Sequence, residues 1–305
     1  MNYLKPPLTF KQQAELLISR GLCDVDKKTL EQYLKKVNYY RLSGYLFAFK
    51  EFNPKTGEER FRHGTSFLII QKQYDFDRRL RLLLMSAIER IEIAFFRTRL
   101  VEKHTLAYGP FGYTVYQNYN QNFRQSEFLK LISEISQDED RSYEEFINRY
   151  RRKYTSEKFL PFWMAAEIMS FGQLFTLYKN TDHGLKKRMA AELGVYPPVL
   201  DSWLHSLNYV RNSCAQHVRL WNRQLAIAPK LPNLQDNPNW HDPVTLNNRR
   251  IFSVLTVIHY ILTKFGFGVD WKESLNTLIN DYPELPTKLM GFPSNWTEFQ
   301  IWKNE

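Results

Sequence analysis

Cysteine is nearly absent: Cys23 and Cys214 are the only two in 305 residues. Two thiols exclude a disulfide framework and a cysteine-rich zinc site, and predict a reducing compartment, the cytoplasm. Glycine (12) and proline (14) are scarce too, which excludes a collagenous, low-complexity or largely disordered chain. No stretch approaches the ~20 consecutive apolar residues of a membrane span. The longest greasy run, LLLMSAI (82–88), sits between Arg81 and Glu89–Arg90. The first residues, MNYLKPPLTFKQQ, lack the apolar centre of an export signal. Also missing are a Gly-rich phosphate loop, HExxH and GxSxG. The seven histidines (63, 104, 183, 205, 217, 241 and 259) are scattered, so neither a metal nor another cofactor is expected.

What is present is core material and positive charge. Hydrophobic residues make up 43% of the chain and aromatics 15%, while 42 Lys and Arg stand against 32 Asp and Glu. The formal charge of +10 favours a polyanionic partner through phosphate contacts and counterion release.

The apolar spacing is helical almost throughout, so the chain reads as all-α. Thr9 and Gln12 form a capping-box pattern, opening a helix with Phe10, Ala14, Leu17 and Ile18 on one face, which Gly21 ends. Leu30, Leu34 and Val37 mark a second helix. Residues 50–64, with the turn signals of NPKTGEE, read as a small hairpin or an irregular loop. One long helical region is expected from 65 to about 103, with Leu80, Leu84, Ile88, Ile91 and Phe95 as its stripe. After a break at 105–125, helices are expected at 127–136 and 142–154. Another, over 160–178, is interrupted near Gly172, and a short basic helix spans 183–193. ProPro at 197–198 opens a helix buried through Leu200, Trp203, Leu204, Leu207, Val210 and Cys214, and a last strong helix covers 246–265.

The segment YVRNSCAQHVRLWNR (209–223) carries the most chemistry. Arginine can hold a phosphate bidentately, and histidine can shuttle a proton near neutral pH. Arg211 and His217 are therefore a minimal set for cleaving an RNA phosphodiester without metal, because RNA supplies its own 2′-OH nucleophile. The same spacing also fits a helix cap and ordinary surface charge. On an ideal helix Arg211 is ~140° from Gln216 and ~120° from His217, so one straight helix does not converge them. Glu89 and Glu92 either face that site or pair with Arg90, Arg97 or Arg99. The clusters Arg149–Arg151–Arg152–Lys153, Lys186–Lys187–Arg188 and Arg249–Arg250 are candidate phosphate-tracking surfaces or solvated faces. The aromatics Tyr39, Tyr40, Tyr45, Phe47 and Phe49 read as core rather than base-stacking groups.

RNSCAQHVRLWNR, together with NYYRLSGY (38–45), AIERIEIAFFRTRL (87–100), LPFWMAAEIMSFGQL (160–174) and MGFPSNWTEFQIW (290–302), resembles the Abi-like proteins of the AbiD/AbiF type. The blocks run in order over nearly the whole chain. The resemblance implies a HEPN ribonuclease domain acting as a toxin or abortive-infection effector in phage defence, held in some relatives by a structured noncoding RNA. It implies a bundle over 63–270, an N-terminal helical extension over 1–62 and a C-terminal appendage over 271–305. It also implies a homodimer with a composite site. Arg211, Asn212 and His217 match the family's Arg, polar residue and His. Where such relatives are expected to carry two histidines in tandem, the first position here is Gln216, which has no titratable proton. Two readings stay open: a ribonuclease working through His217, attenuated or not, and a non-catalytic RNA-binding module.

Overall fold

The computed structural model describes residues 6–53 and 58–303. The capping box forms: Thr9 N donates to Gln12 Oε1 at 2.9 Å and Gln12 N to Thr9 Oγ1 at 3.3 Å, opening α1 (Phe10–Ser19). Gly21 stops it at φ +101°. Asp26 caps α2 (Lys27–Val37), which buries Leu30, Leu34 and Val37. Asn38 ends α2 and caps α3 (Tyr39–Leu46), its Oδ1 accepting from Arg41 N at 2.8 Å. Of the five aromatics expected in the core here, Tyr45 is buried and Tyr39 and Phe49 partly so. Tyr40 and Phe47 are 88% and 75% exposed, because a short helix has only one face to bury. A hairpin follows, β1 (Lys50–Phe52) antiparallel to β2 (Glu59–Phe61). The residues expected to turn it, Pro54 and Gly57, lie outside the described residues.

The long helical region runs as α4 (Phe67–Ile91), a π-helical stretch Glu92–Leu100, and α5 (Val101–Tyr108). Leu80, Leu84, Ile88, Ile91 and Phe95 are all buried. The π stretch is unannounced by spacing. It brings residues five apart into contact: Arg97 pairs with Glu92 at 2.6 Å and donates to Met169 O at 2.9 Å and to Ala166 O. Next come α6 (Gln125–Arg141), α7 (Glu145–Lys153), α8 (Phe162–Ile168) and α9 (Phe171–Asn180). The interruption expected near Gly172 is present, with the break between α8 and α9 at Met169–Ser170. Ser170 forms a capping box with Gln173, so the polar cap, not the glycine, decides where the helix restarts. Asp182 caps α10 (His183–Glu192), and Pro197 occupies the first turn of α11 (Pro197–Ala215). The expected helix at 246 begins later, as α12 (Ile251–Lys264), because residues 247–250 spend their backbone on loop contacts such as Leu225 N to Arg249 O. Helices α13 (Gly268–Asn280) and α14 (Gln300–Lys303) complete an all-α architecture with one small hairpin.

α4 packs against α11, α12 and α13, and α11 also against α9 and α10. A single hydrophobic core runs through all of these helices, with Trp203, Trp221, Trp240 and Trp302 fully buried in it. No helix among the described residues is long and apolar enough to cross a membrane.

Two histidines make this core sensitive to acid. His104 packs against the rings of Tyr108 and Phe162, and His259 stacks on Trp302 at 4.3 Å. Burial pushes each imidazole down to about 4. Both are neutral in the fold and charge at ~6.5 in the unfolded chain, so the unfolded state binds more protons below that pH. Stability is therefore expected to be full above pH ~6.5 and to fall towards pH 4, by about 3 kcal/mol per histidine. Urea titrations at pH 7, 5.5 and 4.5 test this. The slope against pH should become shallower by about one proton in His104→Phe. Equal urea midpoints at pH 7 and 4.5 would refute it.

Candidate active site

α11 ends in a specific way. Its last residue is Ala215, Gln216 caps it at φ −84°, and His217 follows at φ +57°. His217 N donates to Cys214 O at 3.0 Å and Val218 N to Ser213 O at 2.8 Å. This pair of bonds is the Schellman motif, with His217 in the left-handed position that usually holds glycine. The ideal-helix angles expected for Gln216 and His217 therefore do not apply: His217 lies beyond the helix, its chain reversed by the motif. Asn212, Gln216 and His217 are exposed and Arg211 half-buried.

Arg211 opens onto a cleft of about 830 Å³ between the π stretch, the α6–α7 connection and the α8–α9 break, beside Glu92, Arg97, Glu144 and Glu167. Its Nη1 donates to Asn212 Oδ1 at 3.3 Å. Among the described residues no carboxylate lies within ion-pair distance of it, although Asp138, Glu144 and Glu167 line the same cleft. Glu92 shares the cleft but is paired with Arg97, whereas Glu89 is exposed and does not line it. Arg211 and Asn212 are thus brought together. No hydrogen bond joins either to His217. Cys214, inside the motif, is buried with its thiol pushed up to about 12 by desolvation, which excludes it as a nucleophile at neutral pH.

The residues that hold the His217 turn are ones that spacing alone did not single out. Arg41 Nη1 donates to His217 O at 2.6 Å, and Arg219 Nη1 donates to Gly44 O at 2.6 Å. Asp77 is fully buried on α4. Its carboxylate accepts from Trp221 N at 2.7 Å, Leu220 N at 3.1 Å, the Tyr45 hydroxyl at 2.6 Å and Arg81. Burial pushes the Asp77 carboxyl up, while Arg81 and these donors pull against it. One signal was legible: Asp77 and Arg81 fall on the apolar stripe of α4, where an unpartnered charge would be costly.

The basic clusters divide. Arg151 bonds Glu139, Glu157 O and Lys158 O, Lys186 bonds Asp201 at 2.7 Å, and Arg250 bonds Asn222 at 3.1 Å. Arg149 pairs with Glu145 at 3.1 Å on the surface. Arg152, Lys153, Lys187, Arg188 and Arg249 are exposed. Among the described residues no three His, Cys, Asp or Glu side chains gather as a metal-ligand set.

No curated protein and no solved structure gives a significant match to the chain. A family model described as Abi-like protein matches residues 32–222, from the middle of α2 to the end of the turn that follows α11. The match takes in α3, α4, the cleft and the whole Arg211–His217 segment, well over half of the 305 residues, and the chain therefore belongs to the Abi-like protein family.

Proposed function

We propose that this Abi-like protein is a metal-independent endoribonuclease of the HEPN type, acting as a toxin or abortive-infection effector. The observation that carries the reading is an exposed histidine in a strained left-handed position, six residues beyond an arginine that has no ion-pair partner and faces a cleft. Strained non-glycine backbone clusters at functional sites. In this reading an RNA 2′-OH attacks the adjacent phosphorus, and His217 moves the proton as general acid or base. Arg211, oriented by Asn212, stabilises the charge that develops on the phosphoryl oxygens. The products are a 2′,3′-cyclic phosphate and a 5′-hydroxyl. No hydrogen bond joins Arg211 to His217 within one chain, which fits a composite site completed by a second copy in an isologous dimer. Exposed Arg152, Lys153, Lys187, Arg188 and Arg249 would hold RNA by its backbone, whether substrate or a restraining noncoding RNA.

The rival reading, a non-catalytic RNA-binding module, is favoured by Gln216 and by that same missing hydrogen bond. The test is cleavage of single-stranded RNA by the purified protein with and without EDTA. We expect cleavage in both, cyclic phosphate ends, and at least a tenfold loss in Arg211→Ala. RNA bound in a salt-dependent way but left intact by the unmodified chain would favour the module. Complete EDTA sensitivity restored by a divalent ion would overturn the mechanism.

A further inference from the structure

We infer that α3 and α4 act as a clamp on the catalytic turn, with Arg41 and Asp77 as positioning residues for His217. The inference rests on the proposed role of His217.

The turn after α11 has no regular structure of its own: residues 218–220 follow a helix end and are tied down from outside. On one side, α3 gives and receives one bond. Arg41 Nη1 holds the His217 carbonyl, and the Gly44 carbonyl holds the Arg219 guanidinium, each at 2.6 Å. Gly44 lies in the last turn of α3, where carbonyls lack a helical partner, so Arg219 satisfies a group that would otherwise be free. On the other side, Asp77 takes both amides that follow, Leu220 N and Trp221 N. The two sides are joined, because Tyr45 of α3 donates to the same Asp77 carboxylate.

A left-handed residue persists only where its surroundings over-determine it. Here the Schellman bonds fix the turn from the helix side, and the clamp fixes it from the α3 and α4 side. The carbonyl of His217 is the bonded group, so its backbone is oriented while its imidazole stays exposed for chemistry. Displacing α3 would release the turn without touching α11, so the N-terminal helices can set the geometry of the site.

Arg41→Ala tests this, since Arg41 is half-buried and its loss leaves the core intact. Amide hydrogen exchange by mass spectrometry is read on peptides covering 216–221 and, separately, 200–214. Cleavage of single-stranded RNA is read as kcat and KM. We expect exchange in 216–221 to rise at least tenfold with 200–214 unchanged, and kcat to fall at least tenfold with KM within twofold. Arg41→Lys should restore much of both, because a single donor reaches a single carbonyl. Unchanged exchange in 216–221, or faster exchange with unaltered kcat, overturns the clamp. If the unmodified chain cleaves no RNA while Arg41→Ala still loosens the turn, the clamp stands on the exchange data and the ribonuclease reading is what fails.

Discussion

His217→Gly is expected to make the protein more stable and less active at once. His217 occupies the left-handed position of a Schellman motif at φ +57°. An L-residue there costs ~1–2 kcal/mol relative to the right-handed region, and glycine avoids that cost. Glycine also gives the unfolded chain more freedom, which takes back ~0.5–1 kcal/mol. The net gain is ~0.5–1 kcal/mol, and little packing is lost because His217 is exposed. Loss of a general acid–base group lowers cleavage ~10²–10⁴-fold. His217→Ala is the control that separates the two effects, since it removes the imidazole and keeps the strain. It should lose the same activity and gain no stability. A His217→Gly protein that cleaves RNA at the parental rate would remove His217 from the mechanism. One that is less stable than His217→Ala would remove the strain argument.

The second large effect is expected at Gln216. Here the family resemblance implies a histidine, and glutamine offers only fixed hydrogen bonds. Gln216 caps α11 in an ordinary region of backbone space at φ −84° and is exposed, so histidine fits without strain. Gln216→His should therefore raise RNA cleavage by up to ~10²–10⁴-fold by adding a group that titrates near neutral pH to the proposed site. Gln216→His combined with Arg211→Ala should return to background if the two residues form one site. The outcome that sinks this idea is strong cleavage by the unmodified chain, lost in His217→Ala and unaltered in Gln216→His. His217 would then be the sole catalytic histidine.

Much of the framework was legible because it rests on contacts three or four residues apart. The Thr9–Gln12 capping box, the stripe Leu80–Leu84–Ile88–Ile91–Phe95 and the ProPro start of α11 are local signals, and the helices form where they point. The same kind of signal at Ser170–Gln173 sets the restart of α9 close to the expected interruption near Gly172. The π stretch left no periodic trace, and Arg97 within it bonds the distant carbonyls of Ala166 and Met169.

The site divides in the same way. By itself the sequence determined an all-α chain, a membership in the Abi-like family and a motif containing Arg211, Asn212 and His217. It could not show that α11 stops at Ala215, that His217 turns left-handed, or that Arg211 faces a cleft apart from it. Those features depend on bonds such as Arg41 to His217 O, 176 residues apart, and Asp77 to Leu220 N, 143 apart. Periodicity and capping report only neighbours along one element. Which buried carboxylate meets which loop amide was decided when the helices packed, because only then did the Asp77 carboxylate, already beside Arg81 on α4, lose water and need further donors.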